Sequence, residues 1–461
     1  MLNKTVNFSL FFFSFFIIFF FIEFSPAIFS KFEPDSYSYI NFTDYRKSLY
    51  GLIFHTCERL KLDIILIQKL ILTSSLTILY FCLYKKIGLI LSSVFISILL
   101  INFYYTCFSK TILTESFLFS FINFSIAILF MVKRDINQSV TYYLLAGFCF
   151  GFLVAIKSVG ILFGLSFLSL MLYFKKQKNF KFFAYLFFGF LVCPVIEKIN
   201  FFSKNYQSSS VLTQSIIGKV FMLSGKASFD VNDFPKESRE LLKESSIQFY
   251  KIESFLKKID NPFLKADLSA DYEVVAQYQF FRKEINLINS QLSVNNRKFE
   301  DGFIEIIFKN YLLDYLNMTF FHYIGLWSSG SKHIFLKEYL NNKDVELPFP
   351  NKLKSSSGDI KKINNNLLFL SLIFFISLLT IFSILTLLSI FLTFKTNYRR
   401  YYFYEISFCL VVQIYLFVVS FLNVATPRYL MPVFPIIIVV VLLYIHKFSQ
   451  FFKKDSVDFL K

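Results

Sequence analysis

Long apolar runs recur along most of this chain, and they constrain its fold more than any other feature. Of its 461 residues, 55% are hydrophobic and 21% aromatic. Many runs are about 18 to 25 residues long, the length that an α-helix needs to cross a bilayer core of roughly 30 Å. A membrane β-barrel would show short segments of alternating polarity instead. The continuous run over 367–393 therefore favours helices, and we predict an all-α polytopic membrane protein.

The apolar runs predict about ten transmembrane helices. Their expected positions are residues 7–24, 63–84, 87–106, 112–132, 140–156, 159–174, 181–200, 366–393, 403–423 and 429–446. The first run also has the layout of a secretory signal peptide, with Lys4 before it and small residues around Ala27. Its length, and Pro26 at the expected cleavage site, favour a retained helix.

Charges between the runs predict the orientation. With the N-terminus inside, the inner connections are rich in basic residues: Lys85, Lys86, Lys133, Arg134, Lys175, Lys176, Lys178, Lys181, Arg399, Arg400 and the tail from Lys447. Cytoplasmic loops carry this excess. We therefore predict a multi-pass protein of the cell inner membrane with both termini cytoplasmic. The same bias accounts for most of the net charge of +17, so we expect no nucleic-acid partner.

The runs and the hydrophilic segments between them divide the chain into three parts. Residues 1–200 form an N-terminal transmembrane module that includes a first outer loop at 25–62. Residues 201–365 form an outer, periplasmic domain of mixed helix and loop, and 366–461 a C-terminal transmembrane module with a cytoplasmic tail. Within the outer domain, helical periodicity predicts helices over 238–258 and 277–291, and the polar stretch 352–357 is expected to be a mobile loop. The apolar and aromatic segment 303–327 is expected to form helices packed at the membrane surface, with a crossing or re-entrant segment as the alternative. Within the first loop, apolar residues at helical spacing over 44–62 predict an interfacial helix.

Ionisable residues stand at the outer ends of several predicted helices. They are Asp35 after the first helix, Glu115 at the start of the fourth, Lys157 between the fifth and sixth, and Arg428 at the entry to the tenth. Charged groups beside hydrocarbon are costly unless they face an aqueous cavity or each other. All four fall on one predicted side of the membrane. They are therefore candidates for a functional site, with simple mutual neutralisation as the alternative.

Short patterns around these residues resemble a known family. They are EPDSYSYI at 33–40 followed by RKSLY at 46–50, TES at 114–116, GFCFGFLVAIKSVGIL at 147–162, and RYLMPVFP at 428–435. In order and placement they resemble the type C fold (GT-C) of membrane glycosyltransferases, which includes the protein O-mannosyltransferases and the aminoarabinose transferases of lipid A. The resemblance covers 1–200 and 366–446 in layout. No pattern in 201–365 aligns with it.

The resemblance implies a transferase whose donor is a polyprenyl-phosphate sugar held in the lipid bilayer. The acceptor is then a hydroxyl of a glycan, lipid or protein at the outer face, attacked with inversion. Asp35 is expected to be the general base that takes the acceptor proton. Arg428 and Lys157 are expected to bind the donor phosphate, because a departing phosphate needs charge neutralisation.

The remaining candidate residues have weaker assignments. Glu115, Tyr39 and Tyr429 are expected to position the sugar or the acceptor. Two other roles are open for Glu115. It holds Lys157 or Arg428 in position, or it is an acidic residue at a helix N-terminus, where the helix dipole favours a negative charge. The two tyrosines also fit an aromatic belt at the membrane surface. The sequence shows no metal-ligand spacing, no metal ligand is assigned, and the need for a divalent metal stays open.

The sequence departs from the family pattern at several positions. Lys157 stands where the family more often has arginine, and Ser158 replaces the usual proline. Ser48 and Gly51 replace prolines that flank the Leu-Tyr pair. A lysine keeps the charge of an arginine but loses the planar fork that suits a phosphate. The assignment of Lys157 is thus weaker than that of Arg428.

Two other classes of protein fit the same helices and charges. A transporter or lipid flippase without transferase activity would have intramembrane charges along a substrate pathway, usually near the midplane and in matched halves. Only Lys69 lies well inside a predicted span, and the two halves of the chain do not match. A noncatalytic assembly protein with a partner-binding outer domain is the other alternative.

Overall fold

A computed structural model describes residues 2–26, 31–42, 46–132, 139–174, 180–203, 219, 222–226, 229–234, 236–275, 304–328, 365–422 and 427–458. Within these ranges the regular structure is helical and includes no strand. The predicted all-α class is therefore confirmed for the described chain.

The helices follow the apolar runs closely. The first ten are α1 (Leu2–Phe24), α2 (Pro34–Ile40), α3 (Leu49–Arg59), α4 (Ile64–Ile87), α5 (Leu89–Ile101), α6 (Phe103–Cys107), α7 (Glu115–Met131), α8 (Val140–Ile156), α9 (Gly160–Phe174) and α10 (Phe180–Ser203). The others are α11 (Lys236–Lys257), α12 (Pro262–Val275), α13 (Leu312–Gly325), α14 (Asn365–Thr393), α15 (Thr396–Tyr401), α16 (Phe403–Leu422) and α17 (Phe434–Asp458). The interfacial helix predicted over 44–62 corresponds to the shorter α3.

Four helical segments among the described residues are long and apolar enough to cross a membrane. They are Ile64–Ile87, Lys181–Ser203, Phe369–Thr393 and Phe403–Leu422. A bent pair, Leu89–Ile101 with Tyr104–Lys110, makes a fifth if it is one span. Five shorter apolar helices accompany them: Ser9–Phe24, Glu115–Met131, Val140–Ile156, Gly160–Tyr173 and Phe434–Gln450. The chain thus has membrane character, and the count of about ten spans stays a prediction.

The helix predicted over 87–106 is interrupted at Asn102. The Asn102 side chain accepts hydrogen bonds from the backbone amides of Tyr104 and Tyr105, at 3.1 and 3.3 Å, and so caps α6. The chain bends by 67° between the two helical segments. An asparagine that satisfies the free amides of a helix start stabilises a new helix at the expense of a continuous one. The helix predicted over 87–106 is thus divided into two segments, and its assignment as one membrane span stays a prediction.

Glycines bring α8, α9 and α10 into close contact. A Cβ added at Gly147 or Gly151 of α8 would lie 2.1 and 2.0 Å from backbone oxygens of α10. A Cβ at Gly160 of α9 would meet the Leu153 carbonyl of α8 at 1.8 Å. Small residues four apart let two helix backbones approach in a membrane. This packing fixes the connection between α8 and α9, which contains Lys157.

The described chain forms two compact units. The first comprises Met1–Ser208, Ile381–Tyr415 and Met431–Lys461, and the second comprises Ser209–Thr380 and Leu416–Leu430. In the second unit, α11, α12 and α13 share a core around Leu242, Tyr272 and Tyr315.

His322 of α13 is buried. Burial, together with the charge of Lys219, holds the pKa of His322 well below its usual range.

Several sequence predictions concern the second unit. A helix predicted over 238–258 is found as α11. The segment 303–327, which we expected to pack at the membrane surface, contains the helical residues 304–310 and α13, neither of which is among the candidate spans. The helix predicted over 277–291 and the polar stretch 352–357 lie outside the described residues.

Candidate active site

Asp35 lies in the first turn of α2, a short helix that begins at a proline. Glu33 is the N-cap of this helix, and its backbone amide donates to Ser36 Oγ at 2.9 Å. Pro34 suits the first helical position, because proline has no backbone N–H and an amide at this position would have no partner within the helix. The start of α2 is thus defined by its own sequence, which places Asp35 in the first turn of the helix.

The carboxylate of Asp35 forms an ion pair with Arg46. Arg46 Nη2 lies 2.7 Å from Asp35 Oδ1, and the two side chains are 19% and 25% exposed. Arg46 Nη1 also donates a long hydrogen bond to the Tyr39 hydroxyl at 3.4 Å, and its guanidinium lies 5.0 Å from the centre of the Tyr39 ring. The pair therefore remains accessible to a ligand, while Tyr39, one helical turn after Asp35, is buried.

A second ion pair joins Glu115 and Lys157. Lys157 Nζ lies 2.7 Å from Glu115 Oε1, and the side chains are only 11% and 3% exposed. Glu115 is the first residue of α7, where the helix dipole favours a negative charge. Lys157 follows the last residue of α8 in an extended conformation. Because each charge is largely removed from water, each depends on the other for compensation.

Thr114 connects the two ion pairs. Its hydroxyl lies 3.4 Å from the Tyr39 hydroxyl and 3.2 Å from Glu115 Oε2, close enough to donate to either oxygen. The described contacts thus form one continuous polar network of six residues: Asp35, Arg46, Tyr39, Thr114, Glu115 and Lys157. We refer to these six residues as the polar network.

Buried hydrogen bonds hold the elements around the polar network in place. The Tyr50 hydroxyl of α3 donates to Gln68 Oε1 of α4 at 2.7 Å. Gln68 Nε2 in turn donates to the Thr111 carbonyl at 2.8 Å, shortly before Thr114. The Tyr50 ring packs edge-on against Tyr39 at 5.5 Å. Burial, and secondarily the charge of Glu115, raise the pKa of Tyr50 far above its ordinary value, so its hydroxyl stays a donor.

The segment that follows Arg46 is fastened to two other helices. Lys47 Nζ lies 3.6 Å from Glu197 Oε2, and Ser48 Oγ donates to the Glu197 carbonyl of α10 at 3.0 Å. A Cβ at Gly51 would lie 2.5 Å from the backbone oxygen of Tyr39, so α3 packs directly on the backbone of α2. The helix that carries Asp35, α2, therefore packs against α3, and the segment that leads into α3 is bound to α10.

Arg428 and Tyr429 belong to the second unit. They lie in a 3-10 turn, Pro427–Tyr429, that precedes α17 instead of opening it. The Arg428 guanidinium lies 5.2 Å from the centre of the Tyr429 ring, and Nη2 reaches the Tyr429 hydroxyl at 3.5 Å. Their assignment to the same site as Asp35 stays a prediction.

Four of the residues selected from the sequence meet in the polar network: Asp35, Tyr39, Glu115 and Lys157. One sequence alternative for Glu115, that it fixes Lys157, matches the contact observed. Arg46 and Thr114 were not among the residues predicted from the sequence. Both stand inside the stretches that carry the family resemblance, and that position is the signal that could have identified them.

The chemistry of the polar network follows from its charges. Two carboxylates face two cations; the outer pair, Asp35 with Arg46, is partly exposed, whereas Glu115 and Lys157 are largely buried. An accessible carboxylate can take a proton from a bound hydroxyl, whereas a buried ion pair can shape or neutralise a neighbouring charge. Among the described residues there is no group of three or more His, Cys, Asp or Glu side chains that could hold a metal ion.

Comparisons of the chain with models of protein families, with curated proteins and with solved structures find no match. The resemblance to the type C membrane glycosyltransferases therefore depends on the patterns quoted above. Its consequences for function are a proposal.

Proposed function

We propose that this protein is a membrane glycosyltransferase. It moves a sugar from a polyprenyl-phosphate donor to an acceptor hydroxyl at the outer face of the membrane, with inversion and with Asp35 as general base. The observation that supports this most is the polar network itself, because it connects a partly exposed carboxylate to a buried Glu115–Lys157 pair next to membrane-length helices.

The proposed reaction is a single displacement. The acceptor oxygen forms a bond to the anomeric carbon while the bond from that carbon to the phosphate oxygen breaks. The electron pair of the broken bond stays on the phosphate, and the acceptor proton passes to Asp35. A phosphate monoester is a good leaving group, so the protein contributes mainly charge neutralisation and orientation.

The position of Arg46 limits its role in this reaction. In an inverting displacement the base and the leaving phosphate lie on opposite sides of the anomeric carbon. A guanidinium 2.7 Å from Asp35 therefore lies on the acceptor side. We assign Arg46 to the orientation of the Asp35 carboxylate, and Lys157 and Arg428 to the donor phosphate, with Lys157 released from Glu115 in part when the phosphate binds.

The proposed topology places the Asp35 site at the outer face of the membrane. About ten helices cross the inner membrane, both termini are cytoplasmic, and 201–365 forms a periplasmic domain. The positive-inside pattern of the connections supports this arrangement. The first outer loop then exposes Asp35 where the phosphate and sugar of a lipid-linked donor emerge from the bilayer.

The contacts of Lys69 favour the transferase over the transporter alternative. Lys69, the charge that lies deepest in a predicted span, forms an ion pair at 2.7 Å with Glu23, the penultimate residue of α1. Both residues are near helix ends. A midplane substrate pathway, which transporters usually have, gains no support from this pair.

The test compares envelope lipids, glycans and proteins by mass spectrometry in cells that lack the chain, carry it, or carry Asp35→Asn. We expect one glycan, lipid or protein to lose a sugar in the first and third strains and to keep it in the second. The variant must reach the membrane at the normal level. An unchanged envelope in all three strains would contradict the proposal.

A further inference from the structure

A second group of charges lies where four helices of the first unit meet. Glu405 of α16 is fully buried, and Lys447 Nζ of α17 lies 2.7 Å from its carboxylate. Lys447 also donates to the Tyr401 carbonyl. On the other side, Lys86 at the end of α4 lies over the Tyr404 ring of α16. We refer to Lys86, Glu405 and Lys447 as the basic triad.

This group lies far from the polar network. Lys86 follows Gln68, which supports that network, by 18 residues of one helix, or about 27 Å at 1.5 Å per residue. Phe130, which also contacts Lys86, is near the end of α7, whereas Glu115 opens that helix. The basic triad is therefore at the opposite membrane boundary, the cytoplasmic one in the proposed topology.

Lys86 is held by aromatic rings and not by a carboxylate. Its ammonium nitrogen lies 3.7 Å from the centre of the Tyr404 ring and 4.7 Å from that of Phe130. Within the described part of the chain, Lys86 forms no ion pair within 4.0 Å. Aromatic faces attract a cation and fix its position but leave its full charge uncompensated.

The charges of the basic triad do not balance. Glu405 forms an ion pair with Lys447 but not with Lys86, so one positive charge of the group remains. The exposed side chains of Lys85 and Arg399 lie next to these elements in the chain and have the same sign. A fixed positive excess between helices, at the depth where the hydrocarbon ends, favours an anion with several acceptor oxygens.

We propose that Lys86 and Lys447 form a binding site for the phosphate group of an anionic phospholipid of the inner leaflet. The acyl chains lie along the exposed apolar faces of the helices, and the phosphate oxygens accept hydrogen bonds from the two ammonium groups. Free phosphate has the same chemistry but lacks the apolar chains that concentrate a lipid at this boundary. The site requires no transferase activity.

The full chain is tested in nanodiscs of phosphatidylcholine that contain a minor fraction of phosphatidylglycerol. Native mass spectrometry then measures how many phosphatidylglycerol molecules the released protein retains. We expect the wild-type chain to retain this lipid in preference to phosphatidylcholine. Equal retention of the two lipids by the wild-type chain overturns the proposal, whatever any variant does.

Lys86→Met and Lys85→Met give a matched pair of variants, because they remove the same charge at neighbouring positions. A lysine near an anionic surface strengthens binding about five-fold, so Lys86→Met should lose at least about that much retention and Lys86→Arg should recover most of it. Equal losses in Lys85→Met and Lys86→Met indicate only a diffuse surface field and contradict a defined site. Displacement of the lipid by millimolar inorganic phosphate, dependent on Lys86, supports phosphate recognition from a soluble source.

Discussion

Arg46 contacts both Asp35 and Tyr39, so at the scale of single residues it controls the direction in which the candidate base points. Two of its nitrogens have different partners, at 2.7 and 3.4 Å. A lysine has one ammonium group on a flexible stem and cannot hold both partners in one plane. The guanidinium is therefore expected to matter for orientation as well as for charge.

We predict that Arg46→Gln lowers the turnover number of sugar transfer roughly 100-fold, the cost of a misplaced catalytic group, and that Arg46→Lys lowers it less. Lys47→Gln is the matched control, because Lys47 is the adjacent cation and pairs with Glu197 instead. Steady-state kinetics on purified protein give these values. Equal turnover in Arg46→Gln and wild type, when wild type is active, would remove Arg46 from the site without removing the proposed function.

The buried pair of Glu115 and Lys157 predicts a coupled effect on stability. Removal of one partner of a buried ion pair leaves the other charge uncompensated and costs about 3 to 5 kcal/mol of unfolding free energy. We expect such losses for Glu115→Gln and Lys157→Met, measured by chemical denaturation in detergent. The double variant should lose clearly less than the sum of the two single losses. Additive losses would mean that the pair does not form.

Sequence alone could select Asp35, Tyr39, Glu115 and Lys157, because the charges of the inner loops put them all on one predicted side. It could not show that Arg46 reaches back to Asp35 across 11 residues. Phe42, which lies between these two residues in the chain, has a left-handed backbone with φ of 50°. A phenylalanine in this conformation has no sequence signature.

At the scale of elements, the long apolar helices were predictable and their interruptions were not. The helices α7, α8 and α9 begin and end within about three residues of the predicted bounds. Few structures other than a membrane helix fit an apolar run of membrane length. The break at Asn102, in contrast, depends on hydrogen bonds from two backbone amides to its side chain. The glycines of α8 belong to one of the patterns that resemble the glycosyltransferase family. In the structure they allow the backbones of α8 and α10 to come into contact.

We predict that Gly151→Leu destabilises the bundle, because its side chain would overlap the backbone of Phe190 in α10. Overpacked positions typically cost about 1 to 3 kcal/mol. Thermal unfolding in detergent should show a lower midpoint than wild type. Leu145→Val in the same helix is the control, since Leu145 is 56% exposed and should tolerate the change. Equal midpoints for both variants would show that α8 and α10 are not in backbone contact.

At the scale of the whole molecule, the proposed function requires one orientation of the chain in the membrane. Lys61 follows α3 and Arg399 lies in α15, and both side chains are exposed. The proposed topology puts them on opposite sides of the inner membrane. The same topology gives the polar network and the basic triad access to different aqueous compartments.

Cysteine labelling tests this topology. We expect Lys61→Cys to react with a membrane-impermeant maleimide in spheroplasts, and Arg399→Cys to react only after the membrane is permeabilised. The unsubstituted chain gives the background from its native cysteines, of which Cys57 is buried in α3. The reverse pattern would put Asp35 in the cytoplasm and would exclude a site at the outer face.

The release of polyprenyl phosphate by the purified chain tests the proposed transferase activity and the role of Asp35 together. The chain is reconstituted with the polyprenyl-linked lipids and envelope acceptors extracted from its own host, and mass spectrometry follows the free polyprenyl phosphate. We predict steady release by the wild type and a rate lower by a factor of about 10² to 10⁴ in Asp35→Asn, the contribution of a general base. Release at the wild-type rate by a correctly folded Asp35→Asn variant would contradict the role of Asp35.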